Sequence, residues 1–200
     1  MFGLFKKSPP ASELPQLGAE QLQPRIKHIH FTQALKEAGV PTEQFPAITP
    51  LCGELVTTYA FDLPDSFVMA TPSLLQQAQL SAADCAKVGA GNLLRNMGEV
   101  IFLEKDGCRL AQCGGDLEAT LLLVDAFWDH VRSDMQIKAE VLAAAPRRNR
   151  LLMCDSADPA AILALRAQAR SLFDERDDGH RLSTQIMTRR NGGWSLFDSH

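Results

Sequence analysis

The sequence predicts an α+β fold: a mainly antiparallel sheet built from strand pairs alternating with helices packed on it. Three observations carry this expectation. Short runs of β-branched and aromatic residues come in pairs around tight turn signals, which makes the paired strands antiparallel neighbours. Between the pairs lie stretches with apolar residues at spacings of three and four, the period of an amphipathic helix. The chain has 200 residues, 46% hydrophobic and 22% charged, which is long enough to bury a sizeable core.

Residues 1–23 read as a flexible N-terminal segment. "MFGLFKKSPP" has an apolar stretch too short for a secretory signal or a membrane span, and Pro9, Pro10 and Pro15 follow with few core-forming residues. A frayed terminus explains it, and so does a brush with a membrane surface or a partner. Residues 24–50 read as a short helix, "PRIKHIHFTQALKEAG", with Pro24 in its first turn and Gly39 ending it, then a proline-rich connection. The main domain is expected over residues 51–200.

Within it, "ELVTTYAFDLP" and "SFVMAT" form the first strand pair. Thr71 and Pro72 open one short helix. Ser81 and Asp84 resemble a capping box opening another, with Cys85, Val88, Leu93 and Met97 on one face. "EVIFLEKDGCRLAQC" gives two strands across the Asp106-Gly107 turn. Residues 116–135 read as one helix whose inner stripe is Leu117, Leu121, Val124, Trp128, Val131 and Met135, with Glu118 on the other side. "VLAAAPRRNRLLMCDS" is the next strand pair, and Asp158-Pro159 caps a helix with Ile162, Leu165, Ala169, Leu172 and Phe173 inward. "HRLSTQIMTRRNGGWSLF" ends the chain as a hairpin around Asn191-Gly192-Gly193.

The formal charge of −4 argues against broad adhesion to nucleic acid or anionic lipid, which needs positive potential over a whole surface. The five cysteines are scattered and odd in number, which suits reduced, packing thiols in the cytoplasm. Cys108 and Cys113 are the only pair close in sequence. Without a CxxC or a second pair they do not read as a closed zinc site, and no cofactor or metal is expected. His28 and His30 are two apart, not at the i, i+4 spacing of a helical metal pair. No GxSxG, P-loop, HExxH or dinucleotide fingerprint occurs, and no catalytic residue is assigned.

The segments "TTYAFDLPDSFVMAT", "SAADCAKVGAGNLLRNM", "GGDLEATLLLVDAFWDHV", "VLAAAPRRNRLLMCDS" and "LSTQIMTRRNGGWSLF" occur in an order that resembles the bacterial YtpQ-like family. The matches are Tyr59, Ala60 and Asp62, then Asn92-Leu93, then Gly-Asp-x-Glu-Ala-Thr at 115–120, then Pro146. Asn149 departs from the pattern, since the family tends to carry an acidic residue there. The resemblance implies the fold over residues 51–197 and a bacterial cytosolic setting; it carries no established activity.

Each candidate site residue has two readings. Asp62, Asp116, Glu118 and Asp155 fall near strand ends or a helix start, where carboxylates can share acid–base work or a hard cation. Capping and the helix dipole explain Asp116 and Glu118 equally. Asn92 sits among Ala86, Gly89, Ala90 and Gly91, small residues that admit a second backbone. Its amide either bonds that backbone or meets a ligand. Arg147, Arg148 and Arg150 bracket a hairpin tip, where guanidinium groups clamp phosphate or form a solvated or protein-contacting tip. The reading adopted is a non-catalytic binding or accessory module that engages a protein partner or a second copy of itself through a sheet edge or helix face. The alternative is a binder or hydrolase of an anionic small molecule, using the arginine loop with Asp155 or nearby carboxylates.

Overall fold

A computed structural model describes residues 17–114, 117–176 and 178–197. Most of the N-terminal segment, including "MFGLFKK", and the expected site residue Asp116 lie outside the described residues. The chain divides into two compact units, residues 17–49 with 56–96 and residues 50–55 with 97–197. This division differs from the boundary expected at residue 51, because residues up to 49, including β1, group with residues 56–96.

In the first unit, β1 (Leu22–His28) and β4 (Ser66–Met69) pair with β3 (Leu55–Leu63), whereas most of β2 (Ile48–Cys52) is assigned to the second unit. The β3–β4 pair is antiparallel, from Ala60↔Met69 to Leu63↔Ser66, as expected around the Pro64-Asp65 turn. The helix expected from Pro24 is instead β1 followed by the short helix α1 (His30–Glu37). Leu22, Gln23 and Ile26 are buried in β1, so pairing with β3 overrides the local helical pattern. Pro24 fits because β1 is an edge strand, where a missing N–H costs no ladder bond. Helices α2 (Pro72–Gln77) and α3 (Cys85–Asn96) complete the unit. Leu22, Tyr59, Phe61, Val68, Leu74, Leu75 and Cys85 make its core.

The second unit is a six-stranded sheet in the order β10-β9-β7-β8-β6-β5. Its strands are β5 (Ile101–Lys105), β6 (Cys108–Gln112), β7 (Val141–Arg147), β8 (Arg150–Asp155), β9 (Met187–Arg190) and β10 (Gly193–Leu196). Neighbouring strands are antiparallel. The Asp106-Gly107 and Asn191-Gly192 turns have positive φ at both residues, which Asp-Gly and Asn-Gly supply at low cost. The one expected sheet is therefore two, and this one is covered on both faces. Helix α5 (Pro159–Asp174) starts on Asp158, whose side chain accepts from the Ala160 and Ala161 N–H groups. It packs Ala161, Leu165 and Ala169 against Leu142, Ala144, Leu152 and Cys154. The alternate residues Val141, Ala143, Leu151 and Met153 are buried too. Residues 118–123 pack on β8. Burial on both faces explains why β7 and β8 read as continuous apolar runs rather than alternating ones.

The single helix expected over 116–135 is a 3-10 stretch, Glu118–Leu123, followed by α4 (Asp125–Asp134). Val124 between them is extended, which leaves the Leu121 carbonyl to accept the Trp128 indole N–H at 2.7 Å. Leu121, Val124, Trp128 and Val131 are buried as expected, but Glu118, Ala119, Thr120 and Leu122 are buried as well. A 3-10 segment held on a strand does not keep the one-sided stripe of an α-helix.

Candidate functional site

The arginine loop is built by Pro146. Its missing N–H interrupts the β7–β8 ladder, and the register shifts between Ala144 and Arg147. The freed carbonyls of Pro146 and Ala145 accept Leu182 N–H at 2.9 Å and Ser183 N–H at 3.4 Å. The turn at Arg148-Asn149 is held from both sides, by Arg148 N–H to His180 O and Ala119 N–H to Arg148 O, each 2.9 Å. Of the two forms expected for this tip, solvated or in contact with protein, the structure shows contact: Arg147 is buried, residues 148–150 are half-buried, and segments remote in sequence bond to the turn.

Arg147 is 4% exposed and donates to the Arg176 carbonyl at 2.9 Å and to Asp178 at 2.5 Å. Partial burial raises the Asp178 carboxyl, but the His180 N–H and the Arg147 guanidinium together outweigh it and hold the group below the ordinary carboxylate range. Arg148 Nε donates to His180 Nδ1 at 3.2 Å, and Arg150 donates to the Asn149 carbonyl at 2.8 Å. All three guanidinium groups are engaged within the fold, and Arg147 joins the β7–β8 hairpin to the segment after α5.

Asp155 stands at the other end of the hairpin. Val141 pairs with Asp155 while Arg147 pairs with Arg150, so the strand's length separates Asp155 from the arginines. The site expected from their union does not form. Asp155 instead accepts from the Lys138, Ala139 and Ala157 N–H groups at 2.7, 3.3 and 2.9 Å. Burial raises its carboxyl, and these bonds overcome that and lower it.

Asp62 and Asn92 belong to the first unit. Asp62 is ion-paired to Arg25, whose guanidinium lies 5.4 Å from the Phe67 ring centre. Asn92 is wholly buried; its amide donates to the Ala19 and Leu22 carbonyls, both at 2.7 Å, and its oxygen accepts from Arg95. This is the backbone-bonding reading of Asn92. The glycine that admits the approach is Gly89, where an added Cβ would lie 3.0 Å from the Tyr59 ring; Gly91 has no such neighbour.

Glu118 is the carboxylate whose surroundings differ most from expectation. Placed by its sequence on an outward helical face, it is 4% exposed. Its Oε1 accepts the Cys113 N–H at 3.3 Å, and its Oε2 is buried with no hydrogen-bond partner among the described residues. It lines a cleft of about 470 Å³ with Glu99, Ile101, Gln112, Cys113 and Gly114. Ile101 opens β5, the terminal strand of the six-stranded sheet, and Ile101 and Leu103 are each 51% exposed. On the strand's other face Phe102 stacks on Phe127 with ring centres 6.0 Å apart. The edge is therefore anchored on one face and apolar and open on the other. Sequence reading missed these residues, because alternation in "IFLEK" does not say which strand ends a sheet.

Among the described residues no group of three or more His, Cys, Asp or Glu side chains is placed to hold a metal ion, and no helix is long and apolar enough to cross a membrane. Compared with protein-family models, with curated proteins and with solved structures, the chain matches none.

Proposed function

We propose that the chain is a non-catalytic binding module whose β5 edge takes an extended segment of a partner protein as an added strand. The observation that carries this reading is the exposure of Ile101 and Leu103 on a terminal strand. An unpaired row of backbone donors and acceptors beside half-exposed aliphatic side chains is the surface that strand addition uses, and unused edges are commonly blunted by charge or proline. Charge names the partner's chemistry further. Glu99 and Glu118 line one cleft beside Ile101 at the start of β5, and two carboxylates there suit a lysine or arginine flanking an alternating apolar stretch. A bacterial cytoplasmic setting and kinship with the YtpQ-like family belong to the same proposal, supported by the ordered sequence matches and scattered thiols.

A photo-crosslinking amino acid placed at Leu103, with a control at Leu163 on α5, tests it in living bacteria. Leu163 is 69% exposed and apolar, so it matches Leu103 in stickiness but not in sheet position. The expected result is a discrete heteromeric adduct from position 103 that Ile101→Lys removes and Glu118→Gln weakens. No adduct, an equal adduct at 163, or a product of twice the chain's mass overturns the reading; the last would make a second copy the occupant.

A further inference from the structure

The β6–β8 register pairs Arg109 with Met153 and Leu110 with Leu152. One step further along the same register, Cys108 stands opposite Cys154. Both thiols face α5 in one buried cluster, 2% and 0% exposed, where the Cys108 thiol donates to the Ala161 carbonyl at 3.3 Å. Directly opposed residues in an antiparallel pair have Cα atoms about 4.5–5.5 Å apart. That lies inside the roughly 4.4–6.8 Å span of disulfides, so a bond can form with little backbone movement. The other three cysteines lie elsewhere: Cys52 and Cys85 are buried at other places in the fold, and Cys113 lies at the Glu118 cleft.

The two thiols are not equivalent. Cys108 follows the Asp106-Gly107 turn and lines a second cleft of about 360 Å³ with Glu104, Lys105, Gly107, Arg109 and Met135. Cys154 lies behind it under α5. The geometry points to a peroxide-oxidisable dithiol, with Cys108 as the attacking sulfur, Cys154 as the resolving one, and a small hydroperoxide as the oxidant. In the first step the Cys108 thiolate attacks the peroxide oxygen; the S–O bond forms, the O–O bond breaks, and the departing hydroxide takes up a proton to become water. In the second step Cys154 gives up its proton and attacks the Cys108 sulfenic sulfur; the S–S bond forms and the S–O bond breaks, releasing a second water. Two thiols and one hydrogen peroxide thus give one disulfide and two waters.

The titration of the pair agrees with these roles. The neighbouring Cys154 thiol holds the Cys108 thiol below the ordinary range against its burial and the nearby Asp106 and Asp158. The proximity of Cys108, then burial, pushes Cys154 far up. The thiolate is the nucleophile in such chemistry, so Cys108 reacts first.

The test treats the reduced full chain with hydrogen peroxide, blocks remaining thiols under denaturing conditions, and maps the unreduced digest by mass spectrometry. The expected result is that alkylatable thiols fall from five to three, with a peptide linking Cys108 to Cys154 that dithiothreitol reverses. In Cys154→Ala the linkage is lost and Cys108 over-oxidises to its sulfinic acid. Five thiols remaining after peroxide, or linkage through Cys52, Cys85 or Cys113, overturns the proposal. The wild-type map decides the matter even if the variant fails to fold.

Discussion

Hairpins β5–β6 and β7–β8 share one sheet and much the same plan, two short apolar runs around a tight turn, yet their surroundings are opposite. In β7–β8 every residue of β7 is buried, both faces are covered, and the arginine turn is fastened to residues 119 and 176–182. In β5–β6 the outer strand exposes Ile101 and Leu103, and its turn opens on a cleft. Position in the sheet, rather than the residues of the turn, decides what each hairpin does. Three arginines at a central hairpin become a joint, while an unremarkable "IFLEK" at the edge leaves Ile101 and Leu103 half exposed.

Core truncation should separate the two hairpins most. Leu152→Ala in β8 and Trp128→Ala in α4 should cost about 2–5 and about 3–5 kcal/mol respectively, measured by urea unfolding, whereas Leu103→Ala should cost under about 0.5 kcal/mol. Equal losses in β8 and β5 would break the comparison. Next comes Arg147→Ser, which removes two hydrogen bonds made by a buried charge and should cost about 1.5–3 kcal/mol. Arg150→Ser, whose partner is its neighbour's carbonyl, should cost about 0–1 kcal/mol.

Those turns and caps were legible because their causes are local. Asp106-Gly107 and Asn191-Gly192 need only their own φ, and Asp158-Pro159 needs only the N–H groups that follow it. What was not legible depends on residues far along the chain. Strand β1 is chosen by β3, more than thirty residues later, against the helical reading of "PRIKHIHF". The burial of Arg147 depends on Arg176 and Asp178, and that of Glu118 on a 3-10 stretch held by Arg148. The cross-strand meeting of Cys108 with Cys154 follows from strand order, while the sequence drew attention to Cys113 instead. Asn92 lies between these cases: its small neighbours announced a close approach, and only the structure selected Gly89.

The smallest expected effect is on pH dependence. Asp178 has a lowered carboxyl pKa in the folded chain, so its contribution is present above the unfolded value, near about 3.9, and is lost as pH falls through the lower folded value. Asp178→Asn should flatten the acid limb of a melting-temperature profile between about pH 4.5 and 2 and leave its neutral plateau only slightly lower. An unchanged acid limb would remove the Arg147–Asp178 pair from the account.

The division of labour within the sheet is tested most directly by melting two multiple variants side by side. Arg147→Ser/Arg148→Ser/Arg150→Ser should lower the melting temperature by roughly 4–8 °C, the shift that about 2 kcal/mol produces in a chain of this size. Ile101→Lys/Leu103→Lys should leave it within about 2 °C. An arginine variant that melts with the wild type, or an edge variant that melts well below it, would contradict the assignment of the joint to β7–β8 and the open edge to β5.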